Sequence, residues 1–430
     1  MKQFFANSKL LFKASYYNSV IVLVRILKGI VVSKILAHYL GPNGFALLGN
    51  LKNFTQVITG FTAESYQNAA IRYTSEYKDN DNLLSKTYAT IFQVSLSISI
   101  IAALIILLFS ETFSVLLFQT THYAYVLKIL AIGLPFISFN FIILYILNGL
   151  EAYKKLTVIN LSLSIVNLVI TVLLVINYNL PGALVSLIFG PILVFFLNLV
   201  WLGEYRKILI NIFNTKLFSI DILKNMNRYL IMAVYSTVLV AIAYLLIRNM
   251  IIEKYSLKEA GYWDAMNRIS GFYVMFFISL TSFYLLPRLA KINTFRLFKN
   301  ELGRFYKLVI PLLIVSCVMI YYTRVLILKL FLSSEFLEVE TLFFWRLIGD
   351  FISILAIALV KQFHAKLLVK AYLICNGLQY AMYVGFSAMF IENQGVVGVM
   401  KAYTLSYFIY LILVVLFVAN DFKKNSKSYV

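Results

Sequence analysis

Arg25 and Lys28 stand three residues apart in the middle of an apolar run that extends over roughly 14–38. A spacing of three puts both side chains on one face of a helix. A lone cation at mid-bilayer costs at least about 2.5 kcal/mol, so such a pair persists where it faces water or an anion. Four more cations, Lys52, Arg268, Arg346 and Lys401, each lie a few residues inside the outer end of a different apolar run, and Lys34 lies near the outer end of the first. Arg346 is the shallowest and is expected to reach the interface by extending its side chain. The acids within apolar runs are Glu64, Asp264 and Asp350. Asp264 and Arg268 are four residues apart, as are Arg346 and Asp350, and each pair is expected to satisfy itself on its own helix. A positive excess remains when both pairs are set aside. Together the set of Arg25, Lys28, Lys52, Arg268, Lys401 and Arg346 is expected to line one cationic chamber for an anionic cargo. A phosphate suits Arg and Lys as partners.

The elements that must hold these residues are membrane-spanning helices. The chain has 430 residues, of which 61% are hydrophobic and 13% charged, and its mean hydropathy is +0.86. A soluble protein is about half apolar and about a quarter charged, so a soluble enzyme, a disordered chain and a disulfide-stapled secreted domain are excluded. Spans are expected at 14–38, 44–69, 88–109, 124–149, 156–177, 181–203, 229–249, 262–285, 307–330, 342–364, 366–391 and 394–419. No cleavable leader is expected, because the first apolar run is of full span length and no small-residue cleavage site follows it.

Loop charge supports this topology. Of 38 Lys and Arg residues, 25 fall on the N-terminus, the even-numbered connections and the C-terminal tail. The opposite connections hold Arg248, Lys254 and Lys258 beside acids such as Glu111, Glu335, Glu338, Glu340 and Glu392. By the positive-inside rule both termini are cytoplasmic. Most of the net charge of +20 therefore sets orientation and says nothing about cargo.

The chain also repeats itself. Lys52 and Arg72 match Arg268 and Arg288 at an offset of 216, which also relates Gly182 to Gly398. Gly44-Phe45-Ala46 and Gly261-Tyr262-Trp263 precede the two cation pairs. Two parallel halves of six helices each follow from this, a transporter pattern with the site between the halves. The halves are expected over 1–203 and 229–430, joined by a cytoplasmic linker over 204–228.

Other residues carry less. Cys317 and Cys375 lie in apolar runs and read as small core residues. His38, His122 and His364 are scattered without metal spacing. Asn140, Asn160, Asn167, Asn376 and Gln379 have the chemistry to bind sugar hydroxyls or to bond neighbouring helices. The abundant Tyr and Phe read as lipid-facing or interfacial.

Several segments resemble the Wzx-type flippases of the multidrug/oligosaccharidyl-lipid/polysaccharide exporter superfamily. They are Leu40-Gly41-Pro42-Asn43-Gly44-Phe45 after the first span, and the stretch from Gly261 to Ser270 followed by Tyr284-Leu285-Leu286-Pro287-Arg288-Leu289. Phe344 to Phe351, with its Trp345, Gly349 and Asp350, and Gly398 to Tyr403 complete the set. The likeness runs from about residue 14 to 419 and is closest to the branch of the enterobacterial common antigen and O-antigen flippases. It implies an all-α polytopic fold of two six-helix bundles forming a V around a cationic lumen. It also implies inner-membrane transfer of an undecaprenyl-diphosphate-linked oligosaccharide by alternating access. The family often has Gln where Arg346 stands and Lys where Ser353 stands, which weakens a role for Arg346. Asp264, Asp350 and Glu64 are the candidates for coupling to an ion gradient.

The implied partners are the lipid-linked oligosaccharide, membrane lipids, and a polysaccharide polymerase and chain-length regulator; no cofactor, metal or nucleic acid is expected. The alternatives are a drug/cation antiporter on the same fold, which needs an acidic lumen, and a membrane-embedded glycan polymerase or glycosyltransferase, which needs clustered acids or a large outer loop. A channel fits mid-bilayer cations and a half-chain repeat less well.

Overall fold

The structure, a computed structural model, describes residues 2–210, 212–292 and 294–427. The side chains of residues up to 18, of 204, 207, 208, 228, 229, 283 and 287, and of 424–427 lie outside the described set. The expected loop cations Lys2, Lys9, Lys13, Lys207, Arg228, Lys424 and Lys427 are among these.

The described chain is almost entirely helical, and this follows from its apolarity. Hydrocarbon offers no partner to a backbone N–H or C=O, so each segment satisfies its own. The helices are α1 (Lys2–Thr62), α2 (Gln67–Glu76), α3 (Asp81–Leu108), α4 (Ser110–Phe118), α5 (Ala124–Gly149) and α6 (Tyr153–Trp201). Then follow α7 (Ile220–Lys254), α8 (Leu257–Leu280), α9 (Leu286–Lys291), α10 (Phe295–Phe331), α11 (Phe343–Ala365) and α12 (Val369–Lys427). Among the described residues seven helices are long and apolar enough to cross a membrane.

Each expected span lies mostly on a helix, with two differences. The second stops at Thr62, where Ala63 leaves helical geometry (φ −146°) and a 3-10 turn over Glu64–Tyr66 leads into α2. Glu64 therefore sits in a backbone break rather than inside a helix. Adjacent spans also run into single long helices at three places, interrupted by one residue each: Gly41 (φ 61°), Asn179 (φ 48°) and Gly395 (φ 58°).

The 216-residue offset recurs in the backbone. Asn179 and Gly395 are 216 apart, and so are Glu151 and Leu367, two non-glycine or glycine pairs sharing positive φ. The turn after α5 is closed by Ala152 N–H to the Leu147 carbonyl (3.0 Å) and Tyr153 N–H to the Glu151 carbonyl (2.8 Å). The turn after α11 repeats both bonds 216 residues on, from Leu368 to Phe363 (2.9 Å) and from Val369 to Leu367 (2.9 Å). Gly182 and Gly398 play one role. A Cβ on Gly182 would strike the carbonyl of Leu174, and one on Gly398 the carbonyl of Phe390, the same relation shifted by 216.

By packing, the chain forms two compact units, one of 1–39 and 47–241, the other of 40–46 and 242–430. The segment 204–228 is not a free linker, because it is built into the first unit. Gln93 Nε2 donates to the carbonyls of Ile212 and Asn214 (both 3.0 Å), and the Tyr73 hydroxyl donates to the Asn225 carbonyl (3.1 Å). Ile212, Ile222 and Met226 join a buried apolar cluster with Phe92, Ile142, Ile146 and Phe195. Deeper in this unit a hydroxyl ladder binds three helices. Ser99 donates to Ser138 (3.2 Å), Ser138 to the Thr62 hydroxyl (2.7 Å), and Ser95 to the Thr62 carbonyl (2.6 Å). Asn140 accepts from Asn198, so the polar Asn140 serves helix packing.

The second unit holds the loop 40–46 against α8. Pro42 presses on Gly261 so closely that a Cβ there would overlap its carbonyl. Phe45 packs edge-on to Phe336 (5.0 Å). Both cysteines are free, with Cys375 buried and Cys317 half-buried.

Candidate functional site

The candidate residues divide between the two units. The first unit carries Arg25, Lys28, Lys52 and Glu64, and the second Arg268, Arg346, Lys401, Asp264 and Asp350.

In the first unit, Arg25 is exposed and Lys28 half-buried, both on α1. The Tyr145 hydroxyl on α5 lies within electrostatic reach of Arg25 and of Glu64. The break after Thr62 turns Glu64 back, so that its Oε1 accepts from the Thr59 hydroxyl at 2.7 Å. Arg25, Lys28, Tyr145 and Glu64 thus form one electrostatic group from α1, α5 and the 3-10 turn. Lys52 is exposed farther along α1.

In the second unit the acids are held by partners beyond the expected ones. Asp264 has a second cationic partner besides Arg268, which lies within electrostatic reach of it. Arg248 grips Asp264 bidentately, Nε to Oδ2 and Nη2 to Oδ1, both at 2.6 Å. Arg248 was expected on an outer connection; it is 1% exposed on α7 and lies over the Trp263 ring at 5.3 Å. The sequence distance of 16 residues hid this pair, since only an i,i+4 rule was available. Arg268 places its guanidinium over the Phe45 ring at 4.8 Å.

Arg346 does not reach an interface. It is 4% exposed, and its Nε donates to Asp350 Oδ2 (3.1 Å), Nη1 to Asn267 (2.6 Å) and Nη2 to Ser270 (2.9 Å). Asp350, fully buried, also accepts from Ser270 (2.6 Å), Tyr273 and Tyr403 (2.9 Å). The expected i,i+4 pair forms, but inside a wider network. A buried ion pair supplied with such hydrogen bonds is a structural core, and removing one partner strands a charge. Lys401 points its ammonium over the Trp345 ring at 5.2 Å.

Among the described residues the ion pairs that involve the long apolar helices include Arg248–Asp264, Lys254–Glu392, Arg288–Glu301, Arg304–Glu301, Arg324–Glu340 and Arg346–Asp350. Arg25, Lys28 and Lys401 take part in none of them. No group of three or more metal-binding side chains occurs among the described residues.

Two of the remaining polar candidates serve packing. Asn160 bonds its own helix at the Leu156 carbonyl (2.8 Å), and Asn376 accepts from Tyr410 (2.7 Å). The tyrosines of the second unit are the functional candidates that sequence reasoning passed over. Their spacing, at 380 and 383 and at 403, 407 and 410, was visible as a helical face.

Residues 10–293 match the family described as "Polysaccharide biosynthesis protein". The chain belongs to that family. A polysaccharide biosynthesis relative, the Lipid III flippase of Escherichia coli K12, is 26% identical over 93% of this chain and 96% of its own. Two solved structures share the fold of this family member. One is the inward-facing form of a multidrug resistance MATE family transporter of the MOP superfamily, with a TM-score of 0.73, 16% identity, and 97% of this chain covered against 100% of that one. The other is the inward closed form of Lipid II flippase MurJ, with a TM-score of 0.70, 16% identity, and 96% of this chain covered against 89% of that one. The likeness shows that this chain shares the helical fold of these two structures.

Proposed function

We propose that this protein is a flippase that moves an undecaprenyl-diphosphate-linked oligosaccharide from the cytoplasmic to the outer leaflet of the inner membrane. The observation that carries the reading is the contrast among its intramembrane cations. Arg248 and Arg346 are buried and bound to carboxylates, whereas Arg25 is exposed, Lys28 is only half-buried, and neither joins an ion pair among the described residues. Cations kept accessible at that depth need an anion that comes and goes. A diphosphate supplies about two negative charges, and the glycan attached to it cannot cross hydrocarbon unaided. Alternating access between the 1–203 and 229–430 halves would carry the head group while the polyprenyl tail stays in lipid.

Within this reading Arg25, Lys28, Lys52, Arg268 and Lys401 bind the head group and Arg346 holds the second unit together. Glu64 is the coupling acid. Asp350 and Asp264 are each fixed by a guanidinium, so neither can lose charge cheaply. Glu64 has a hydroxyl partner, Thr59, which serves either protonation state.

The test is Arg25→Ala in cells and in reconstituted vesicles. Surface glycan and flipping should fall by at least about tenfold, the scale of one lost charge-assisted contact, with the protein still in the membrane. Arg25→Lys should recover part of the activity. Full activity in Arg25→Ala protein would overturn the assignment.

A further inference from the structure

Six tyrosines of the second unit form a continuous aromatic series beside the buried ion pair. From Trp263 the rings run to Tyr244 (5.1 Å), Tyr383 (6.3 Å), Tyr403 (5.4 Å), Tyr407 (4.7 Å) and Tyr410 (5.9 Å). Tyr380 lies within electrostatic reach of Tyr407 and of Tyr244. They come from α7 and from both halves of α12.

These tyrosines divide into a buried row and a surface row. Tyr383, Tyr403 and Tyr410 are at most 5% exposed. Tyr244, Tyr380 and Tyr407 are partly exposed. The buried row is pinned. Tyr403 donates to Asp350, Arg346 lies over its ring at 4.1 Å, and Gly349 leaves the space its ring needs, since a Cβ there would stand 2.5 Å from it. Tyr410 donates to Asn376.

The surface row is offset from the exposed apolar stripes of its helices. On α12, Ile374 and Leu378 mark an exposed apolar stripe, and Tyr380 lies roughly 200° around the helix from Leu378 at about 100° per residue. In the second half of α12 the stripe runs through Phe408, Ile412 and Leu416, and Tyr407 lies about 100° to 180° from its members on the same count. On α7, Tyr244 is about 200° from the exposed Ile242. Three phenols with partial access, all offset from the apolar stripes, need a polar neighbour for their hydroxyls and an apolar one for their rings. A pyranose offers both, with C–H groups on its face and hydroxyls on its rim.

We propose that Tyr244, Tyr380 and Tyr407 form a sugar-binding subsite for the glycan of the cargo, with the Arg346–Asp350 network as the frame that positions it. The subsite rests on the flippase reading and adds where the sugar rings sit. It also gives Arg346 a purpose without direct contact to substrate: the guanidinium holds Tyr403, and Tyr403 backs Tyr407.

The experiment uses the full chain reconstituted in vesicles and two lipids. One is the lipid-linked glycan that accumulates in cells lacking the protein; the other is undecaprenyl diphosphate without sugar. Tyr380→Ala and Tyr407→Ala should lower transfer of the glycan-bearing lipid by about tenfold, the scale of one or two lost ring contacts. Transfer of the bare diphosphate should stay within about twofold of wild type on that scale. Tyr380→Phe and Tyr407→Phe, which keep the ring, should retain most glycan transfer. Equal loss for both lipids, or no loss for the glycan-bearing one in any alanine variant, would overturn the subsite. If wild-type protein moves neither lipid, the flippase reading fails and the subsite with it.

Discussion

At the scale of single residues, the cations of this membrane protein fall into two kinds, and position in the sequence does not separate them. Arg25 and Arg248 both lie on helices, yet one is exposed and the other is 1% exposed against Asp264. The difference predicts opposite phenotypes. Arg248→Ala leaves Asp264 without its bidentate partner, and stranding a buried charge costs about 3–5 kcal/mol. The variant should therefore melt earlier and lose its monodisperse peak in detergent. Lys28→Ala should melt like wild type and transport poorly. A normal melting temperature for Arg248→Ala would contradict the structural role given to that pair. Glu64→Gln should leave binding of the lipid-linked glycan intact and remove the response of flipping to an imposed proton gradient. A gradient response that survives in Glu64→Gln vesicles would remove Glu64 from the coupling step.

Mid-span Arg25 and Lys28 were legible in the sequence because apolar flanks make a charge conspicuous. The second partner of Asp264 was not legible. Local spacing offered Arg268, while the bidentate bond is made by a residue on the preceding helix, and that choice depends on how α7 packs against α8. Arg346 shows the same limit. Its i,i+4 partner could be read off, but its burial could not, because Asn267, Ser270 and Tyr403 reach it from other helices.

At the scale of elements, the repeat is the feature that organises the chain. It was visible in a few residue matches and is visible again in the turns after α5 and α11, whose hydrogen bonds correspond one for one. The expected spans break at 177/181 and 391/394, but the sequence did not show that a single residue with positive φ, Asn179 or Gly395, makes each break without a loop. Glycine adopts such backbone freely, whereas a side chain is strained there. Gly395→Ala should accordingly cost about 1–2 kcal/mol, and Asn179→Gly should be neutral or slightly stabilising. Thermal unfolding of the two variants in one detergent checks this. Equal destabilisation by both would mean that the two breaks are not equivalent. Gly182→Ala and Gly398→Ala should both be severe, because the added carbon meets a backbone carbonyl that has no freedom to move.

At the scale of the whole molecule, the helical membrane fold follows from composition, and its membership in the polysaccharide biosynthesis family fits the chemistry of its cations. The expected division at 204–228 was drawn from the spans and the repeat, and its side of the membrane from loop charge. Charge reports which side of a membrane a segment prefers, and says nothing about what it packs on. That is why the docking of Ile212, Ile222 and Met226 into the first unit was not foreseen. The basic connections make a separate prediction about orientation. Single cysteines introduced at Lys154 and Lys216 should react with an impermeant thiol reagent only after the membrane is opened, whereas cysteines at Glu338 and Glu392 should react in intact spheroplasts. The reverse pattern would invert the topology on which outward transfer depends.

The central claim is that accessible intramembrane cations move a lipid diphosphate. It is tested most directly by measuring transfer of the lipid-linked glycan across vesicles holding wild-type protein, Arg25→Ala/Lys28→Ala protein or no protein. The account predicts rapid transfer by wild type and transfer near the protein-free rate for the double variant, with the same melting temperature for both proteins. Undiminished transfer by a correctly folded double variant would contradict it.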